Sequence, residues 1–209
     1  DLLPLLESDV DNLVAAAKNG AFSAFPETVQ SSHRGNKLLR TKFFFGMRYI
    51  WGADQERKLA KDPAYGVRTD VAQAPKWLRE HAELPLVDLG VIPQAFINAF
   101  AINVYHDGSL GLAQHKDDVR RFQQPIFSLR LYSDSRLTFG AQGLGMMDPA
   151  FFIPMPRGCV TVLCEGGYAA NNITHCVRPA DMSGKSASVI FRRIQDQALT
   201  EARKIEGAN

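Results

Sequence analysis

From Phe96 onward, short apolar runs alternate with turn signals, and this pattern limits the fold more than any other feature of the chain. Strand-length runs are legible at residues 96–105, 125–132, 136–140, 150–154, 159–164 and 186–193. Asp107-Gly108, Pro156-Arg157-Gly158 and Gly166-Gly167 separate several of them. Many short strands with Gly/Pro turns argue for a mainly β fold, a sandwich or a jelly roll. Helical patterns precede the strands instead of alternating with them, which disfavours a doubly wound parallel sheet.

The first helix is read over residues 9–19, where Val10, Leu13, Val14 and Ala17 recur at helical spacing and Gly20 is a stop. Pro75 opens a second helical stretch through Trp77 and Leu78, and Pro85 breaks or kinks it. A short helical piece, residues 86–89, ends at Gly90. Residues 43–51 read as an aromatic strand pair or bent strand, and residues 53–74 as a polar loop.

At 209 residues the chain fits one domain with a sizeable core. It divides into residues 1–95, holding the helices, and residues 96–195, holding the β core. It opens on Asp1, as an excised domain would. A formal net charge of +2 says little about partners. Local charge says more: His33, Arg34, Lys37, Arg40 and Lys42 form a basic run able to meet phosphates, although a solvated basic face is the commoner meaning of such a cluster. No stretch reads as a membrane span or a secretory signal. Cys159, Cys164 and Cys176 lack CxxC spacing and read as free thiols in a reducing compartment, with zinc binding disfavoured.

His115 and Asp117 stand two residues apart, and His175 follows much later. Two histidines and one carboxylate can hold non-haem Fe(II) on one face and leave positions open for a co-substrate and O₂. Spacing alone does not decide the matter, because a histidine on a half-buried strand is more often simply hydrogen-bonded. Neighbouring residues add weight. Asn103 and Tyr105 share one side of a strand while Ile102 and Val104 take the other. Arg192 ends the apolar run Val189-Ile190-Phe191, where it could pair with a carboxylate ligand.

On these residues the chain resembles the AlkB-like Fe(II)/2-oxoglutarate dioxygenases. The resemblance is carried by Asn103-Val104-Tyr105, His115-Lys116-Asp117, His175 and Phe191-Arg192. It is similar in particular to the RNA N6-methyladenosine demethylase subgroup. The stretches that match it are Val91-Ile92-Pro93, Pro125-Ile126-Phe127-Ser128, Ser133-Asp134-Ser135 through to Phe139-Gly140, Arg157-Gly158-Cys159-Val160-Thr161-Val162-Leu163 and Ile173-Thr174-His175-Cys176-Val177-Arg178-Pro179. The resemblance spans roughly residues 40–193.

The resemblance implies a double-stranded β-helix, or jelly roll, with N-terminal helices packed on the major sheet. It implies Fe(II) on His115, Asp117 and His175, with 2-oxoglutarate and O₂ consumed and succinate, CO₂ and formaldehyde released. Asn103, Tyr105 and Arg192 resemble the polar residues that hold the co-substrate. Arg40, Lys42 and Tyr49 look like a substrate lid that grips an extruded base and its backbone, with Tyr49 at the reaction centre. The implied substrate is N6-methyladenosine in single-stranded RNA, with single-stranded DNA as the other candidate strand, acted on by a nuclear, monomeric, membrane-free enzyme. Demethylation of other N-methylated bases, or a catalytically weak nucleic-acid-binding role, stands as the alternative.

Two departures from the family stand out. The family usually carries an arginine six residues before the terminal one, gripping the distal carboxylate of 2-oxoglutarate; here that position is Ser186. Arg130, mid-strand between Leu129 and Leu131, is the expected substitute, against the plainer reading that it faces solvent or pairs with Asp134. The subgroup can also bridge the cysteine beside its second histidine, whereas Ala141-Gln142-Gly143 offers Cys176 no partner.

Overall fold

One face of a large sheet is apolar and packs on helices, the other mixes polar and apolar side chains around a cavity, and that division places everything else. The structure is a computed structural model that describes residues 2–23, 25–28, 37–49, 66–140, 149–164 and 173–207. The sheet contains β1 (Phe25–Thr28), β2 (Lys37–Phe45), β5 (Ala99–Tyr105), β7 (Phe122–Leu131), β10 (Val160–Leu163) and β12 (Ser186–Ile194). Their order is β1-β2-β5-β12-β7-β10, and every pairing is antiparallel. A second sheet, in the order β6-β11-β8-β9, comprises β6 (Leu112–His115), β8 (Ser135–Gly140), β9 (Phe151–Met155) and β11 (Thr174–Val177). One cavity is walled by residues of both sheets, as in a jelly roll.

Residue alternation sorts the large sheet. One face presents Phe43, Phe45, Ile102, Val104, Val189 and Phe191 to the helices. The other presents Asn103, Tyr105, Ser186, Ser188 and Arg192 to the cavity side, since these positions share register parity. The apolar face meets α1 (Leu3–Lys18), which buries Leu6, Val10 and Leu13 at i, i+4 and i+7. The helix begins well before residue 9. Pro4 occupies its first turn, where a missing N–H costs nothing.

Proline does not break the second helix. Lys76–Leu78, Arg79–Glu83 and Leu84–Asp88 run on as one element, α2. Its middle segment is π-helical, and the Leu84 N–H donates to the Arg79 carbonyl, five residues back. That extra residue relieves the clash a proline at 85 would make with the preceding turn. Leu78 and Ala82 bury against the sheet.

The aromatic stretch resolves into β2, a turn at Gly46, and a short β3 (Arg48–Tyr49). Gly46 has φ +76°, and a Cβ there would come 2.6 Å from the Asn98 carbonyl oxygen. β3 pairs with β4 (Val67–Arg68), so part of the expected polar loop is strand, with Val67 fully buried. A two-residue strand is legible only through its partner; residues 51–65 lie outside the described residues. β7 starts at Phe122, three residues before Pro125. Pro125 falls where the β7–β12 register shifts and beyond the end of β10, so its missing N–H breaks no ladder bond. The chain closes on a helix that sequence patterning did not anticipate, α3 (Asp196–Gly207). Its Ala198 and Ala202 pack fully buried beside Phe44, Met47 and Val67.

Candidate active site

β6 and β11 run side by side, with His115 and His175 as direct partners in register. Cross-strand partners point to the same face, so the two imidazoles meet with ring centroids 4.5 Å apart. Asp117 follows two residues beyond the end of β6 and is buried; its Oδ2 lies 3.5 Å from His175 Nε2. One donor atom from each of the three residues lies within 4.8 Å of the others. Metal bonds of about 2.1 Å at right angles would place donors about 3 Å apart, so small side-chain rotations bring this set onto one ion.

The surroundings suit metal ligation. His115 Nδ1 donates to the Ala113 carbonyl at 2.9 Å, which fixes the tautomer that keeps the Nε2 lone pair for a ligand. Burial, with His175 adding to it, holds the His115 imidazole far below its ordinary range, at about 4, and therefore neutral. Arg192 Nη2 donates to Asp117 Oδ1 at 3.3 Å. β11 is braced behind the site by buried Asp181, which accepts from Thr138 Oγ1 at 2.7 Å and from Arg178. Burial pushes the Asp181 carboxyl up, but these bonds hold it below its ordinary value. Two imidazoles and a carboxylate with open coordination space match the ligand set of a non-haem iron centre.

The same cavity is lined by Asn103, Tyr105 and Arg192, together with His115, Asp117 and His175. Asn103 Oδ1, Arg192 Nε and Arg192 Nη1 are buried with no hydrogen-bond partner. Buried polar atoms are normally satisfied, so this cluster fits a polar ligand beside the metal position. Ser128, Thr161 and Ser188 also line the cavity and were not singled out from the sequence. Parity alone could have found Ser188, four residues before Arg192 on one strand.

The remaining expected residues stand beside this cavity. Arg40 and Lys42 lie on β2 opposite Tyr105 and Asn103, only 5% and 4% exposed. Arg40 Nη1 donates to the Gly111 carbonyl at 3.2 Å. Tyr49 packs edge-on between Phe44 and Phe122 and is surrounded by Lys42, Arg192 and Arg121, each 5.2–5.5 Å from its ring centre. Burial would raise the Tyr49 phenol, yet Lys42, Arg192 and Arg40 bring it down to about 7. Burial lowers Lys42 to about 8. Arg121, which sequence reasoning missed, is buried 3.9 Å from Asp118. Arg130 touches the cavity wall at Ser188 and Tyr105. His33 and Arg34 of the basic run lie outside the described residues.

No protein-family model matches the chain. The chain is similar to RNA demethylase ALKBH5 of Xenopus tropicalis, 36% identical over 205 residues, covering 96% of this chain and 53% of that protein. It is 34% identical over 192 residues to RNA demethylase ALKBH5 of Bos taurus, covering 90% of this chain and 46% of that protein. The chain thus spans about half the length of the curated relatives it matches. The solved structure of OsALKBH1 superposes with a TM-score of 0.51 at 17% identity, covering 88% of this chain and 91% of that one, a likeness of fold.

Proposed function

This chain belongs to the AlkB-like dioxygenases, and on that premise we propose that it oxidatively demethylates N6-methyladenosine in single-stranded RNA, using Fe(II), 2-oxoglutarate and O₂. The observation that carries this reading is the convergence of His115, Asp117 and His175 within 4.8 Å, beside the unpartnered buried polar atoms of Asn103 and Arg192. His115, Asp117 and His175 would hold the iron. Asn103, Tyr105 and Arg192 would hold the keto acid beside it. With iron and the keto acid in place O₂ would be the oxidant, one oxygen atom going into succinate as the keto acid loses CO₂ and the other into the N-methyl group, which is released as formaldehyde.

The protein's own share is placement and exclusion. Arg192 offsets the Asp117 charge and fixes its carboxylate plane. Apolar wall residues Leu112, Ile126, Leu137 and Ile190 keep the cavity poor in water. Arg40, Lys42 and Tyr49 would steady an extruded base and its phosphates from the β2–β3 side.

One observation favours a wider substrate range as a second reading. Cys176 is a free, buried thiol, and the sequence has no cysteine among residues 141–148 to bridge it. A fold without that brace is less constrained to single-stranded RNA, and other N-methylated bases in RNA or DNA fall within the same chemistry. The test is a panel of oligonucleotides, each with one N-methylated base, incubated with Fe(II), 2-oxoglutarate and O₂ and read by nucleoside mass spectrometry. Preferential loss of N6-methyladenosine from single-stranded RNA supports the first reading. Preferential loss of another methylated base supports the second. Intact bases throughout, with iron bound, would leave only a nucleic-acid-binding role.

A further inference from the structure

Arg130 is the bulkiest fully buried side chain of the described residues, 1% exposed near the C-terminal end of β7. It neither faces solvent nor pairs with Asp134: among the described residues no carboxylate forms an ion pair with it. Its Nε donates to the Ser133 carbonyl at 3.3 Å and its Nη1 to Ser188 Oγ at 3.3 Å. Its Nη2 is buried with no partner. A guanidinium held out of water with one nitrogen idle and no counter-ion is costly in the ligand-free state. Such an arrangement is expected where an anion completes the site.

Register shows which anion position this is. Asn103, Ser188 and Arg130 form one row across β5, β12 and β7. Ser188 and Asn103 line the metal cavity. Ser186 is on the same face of β12, one step along, and therefore diagonal to Arg130, a separation that a long side chain spans. Its Oγ is also buried without a partner. The small side chain at Ser186 leaves room that the Arg130 guanidinium can use, and the Tyr105 ring lies 5.7 Å beneath it.

We propose that Arg130 is the cation that binds the far carboxylate of the dicarboxylic keto acid, so that the charge missing at Ser186 on β12 is supplied from the neighbouring strand. The inference rests on the function proposed above and adds to it the residue that selects a dicarboxylate over a monocarboxylate.

The test compares two ligands on the whole chain loaded with Mn(II) without O₂, using titration calorimetry so that no turnover is needed. 2-Oxoglutarate carries the far carboxylate; 2-oxobutanoate has the same keto-acid end and lacks it. Wild type is expected to bind 2-oxoglutarate about 10- to 100-fold tighter, the worth of a charged buried hydrogen-bond pair. Arg130→Met should erase that preference while leaving 2-oxobutanoate affinity within a few-fold of wild type. The exchange variant Arg130→Ser with Ser186→Arg should restore most of the preference, and serves if Arg130→Met does not fold. A preference that survives Arg130→Met, or wild type showing none, overturns the assignment of Arg130 while leaving the keto-acid site standing. Failure of both keto acids to bind the metal-loaded protein overturns the proposed function itself.

Discussion

Arg192 and Asp117 form a buried pair, with Nη2 and Oδ1 3.3 Å apart and both side chains less than a tenth exposed. One partner ends the inner face of β12 and the other follows β6, so this contact ties the large sheet to the metal-binding side. The Arg192 guanidinium also lies over the Tyr49 ring, 5.2 Å from its centre. The pair thus links the metal position to the aromatic and basic cluster on β2 and β3.

Arg192→Met is expected to weaken metal affinity about 10- to 100-fold, the usual effect of losing a group that orients a ligand. Calorimetric titration with Mn(II) under argon checks it. Unchanged affinity would mean that Asp117 is positioned without Arg192.

Gly111 precedes β6 with φ +77°, and a Cβ there would sit 2.0 Å from the Val177 carbonyl oxygen, on the strand that carries His175. Gly111→Ala should therefore push β6 from β11 and part the two histidines. Left-handed strain alone costs about 1–3 kcal/mol, and the backbone clash adds to it. Denaturant unfolding should show at least that loss, with metal affinity falling in parallel. Native stability in the variant would contradict the packing described here.

Tyr49 should ionise near neutrality. Burial opposes this, but Lys42 and Arg192 favour the phenolate and bring its value to about 7. A phenol lowered in the folded state makes ionisation favour folding, so its contribution to stability is complete above the ordinary value near 10 and is lost as pH falls through about 7. Ultraviolet difference titration should show one of the five tyrosines ionising near pH 7, absent from Tyr49→Phe. Five tyrosines all titrating near or above pH 10 would refute the cation cage.

Phe191 is fully buried on the helix-facing side of β12 and meets Phe100 at 5.8 Å between ring centres. Phe191→Ala should cost about 3–5 kcal/mol. Arg192, the next residue, faces the other way, so folded variant is expected to keep its metal affinity. Chemical denaturation and metal titration together separate core from site.

Much of this was legible in the chain. The β-rich core from Phe96 and the Asn103/Tyr105 parity follow from period-2 alternation, which the sheet realises directly. The iron-type ligand set was visible in His115, Asp117 and His175, but their adjacency depends on the pairing of β6 with β11, which no local pattern encodes. Short elements escaped for the same reason: β4 has two residues and exists only against β3. α2 was read as two pieces because Pro85 signals a break or a kink, and only the π turn shows how the helix absorbs it. Among the described side chains α3 buries only Ala198 and Ala202, too small an apolar stripe to stand out. The burial of Arg40 and Lys42 was hidden because a run of cations reads as surface until β2 is seen inside a sheet.

The most direct test of the account is anaerobic reconstitution with Fe(II), 2-oxoglutarate and an N6-methyladenosine RNA oligonucleotide, followed by admission of O₂ and quantification of succinate, formaldehyde and unmethylated adenosine. The account predicts all three in matching amounts from wild type and none of the three from His115→Ala. Succinate without loss of methyl, or no succinate from protein that binds Fe(II), would contradict it.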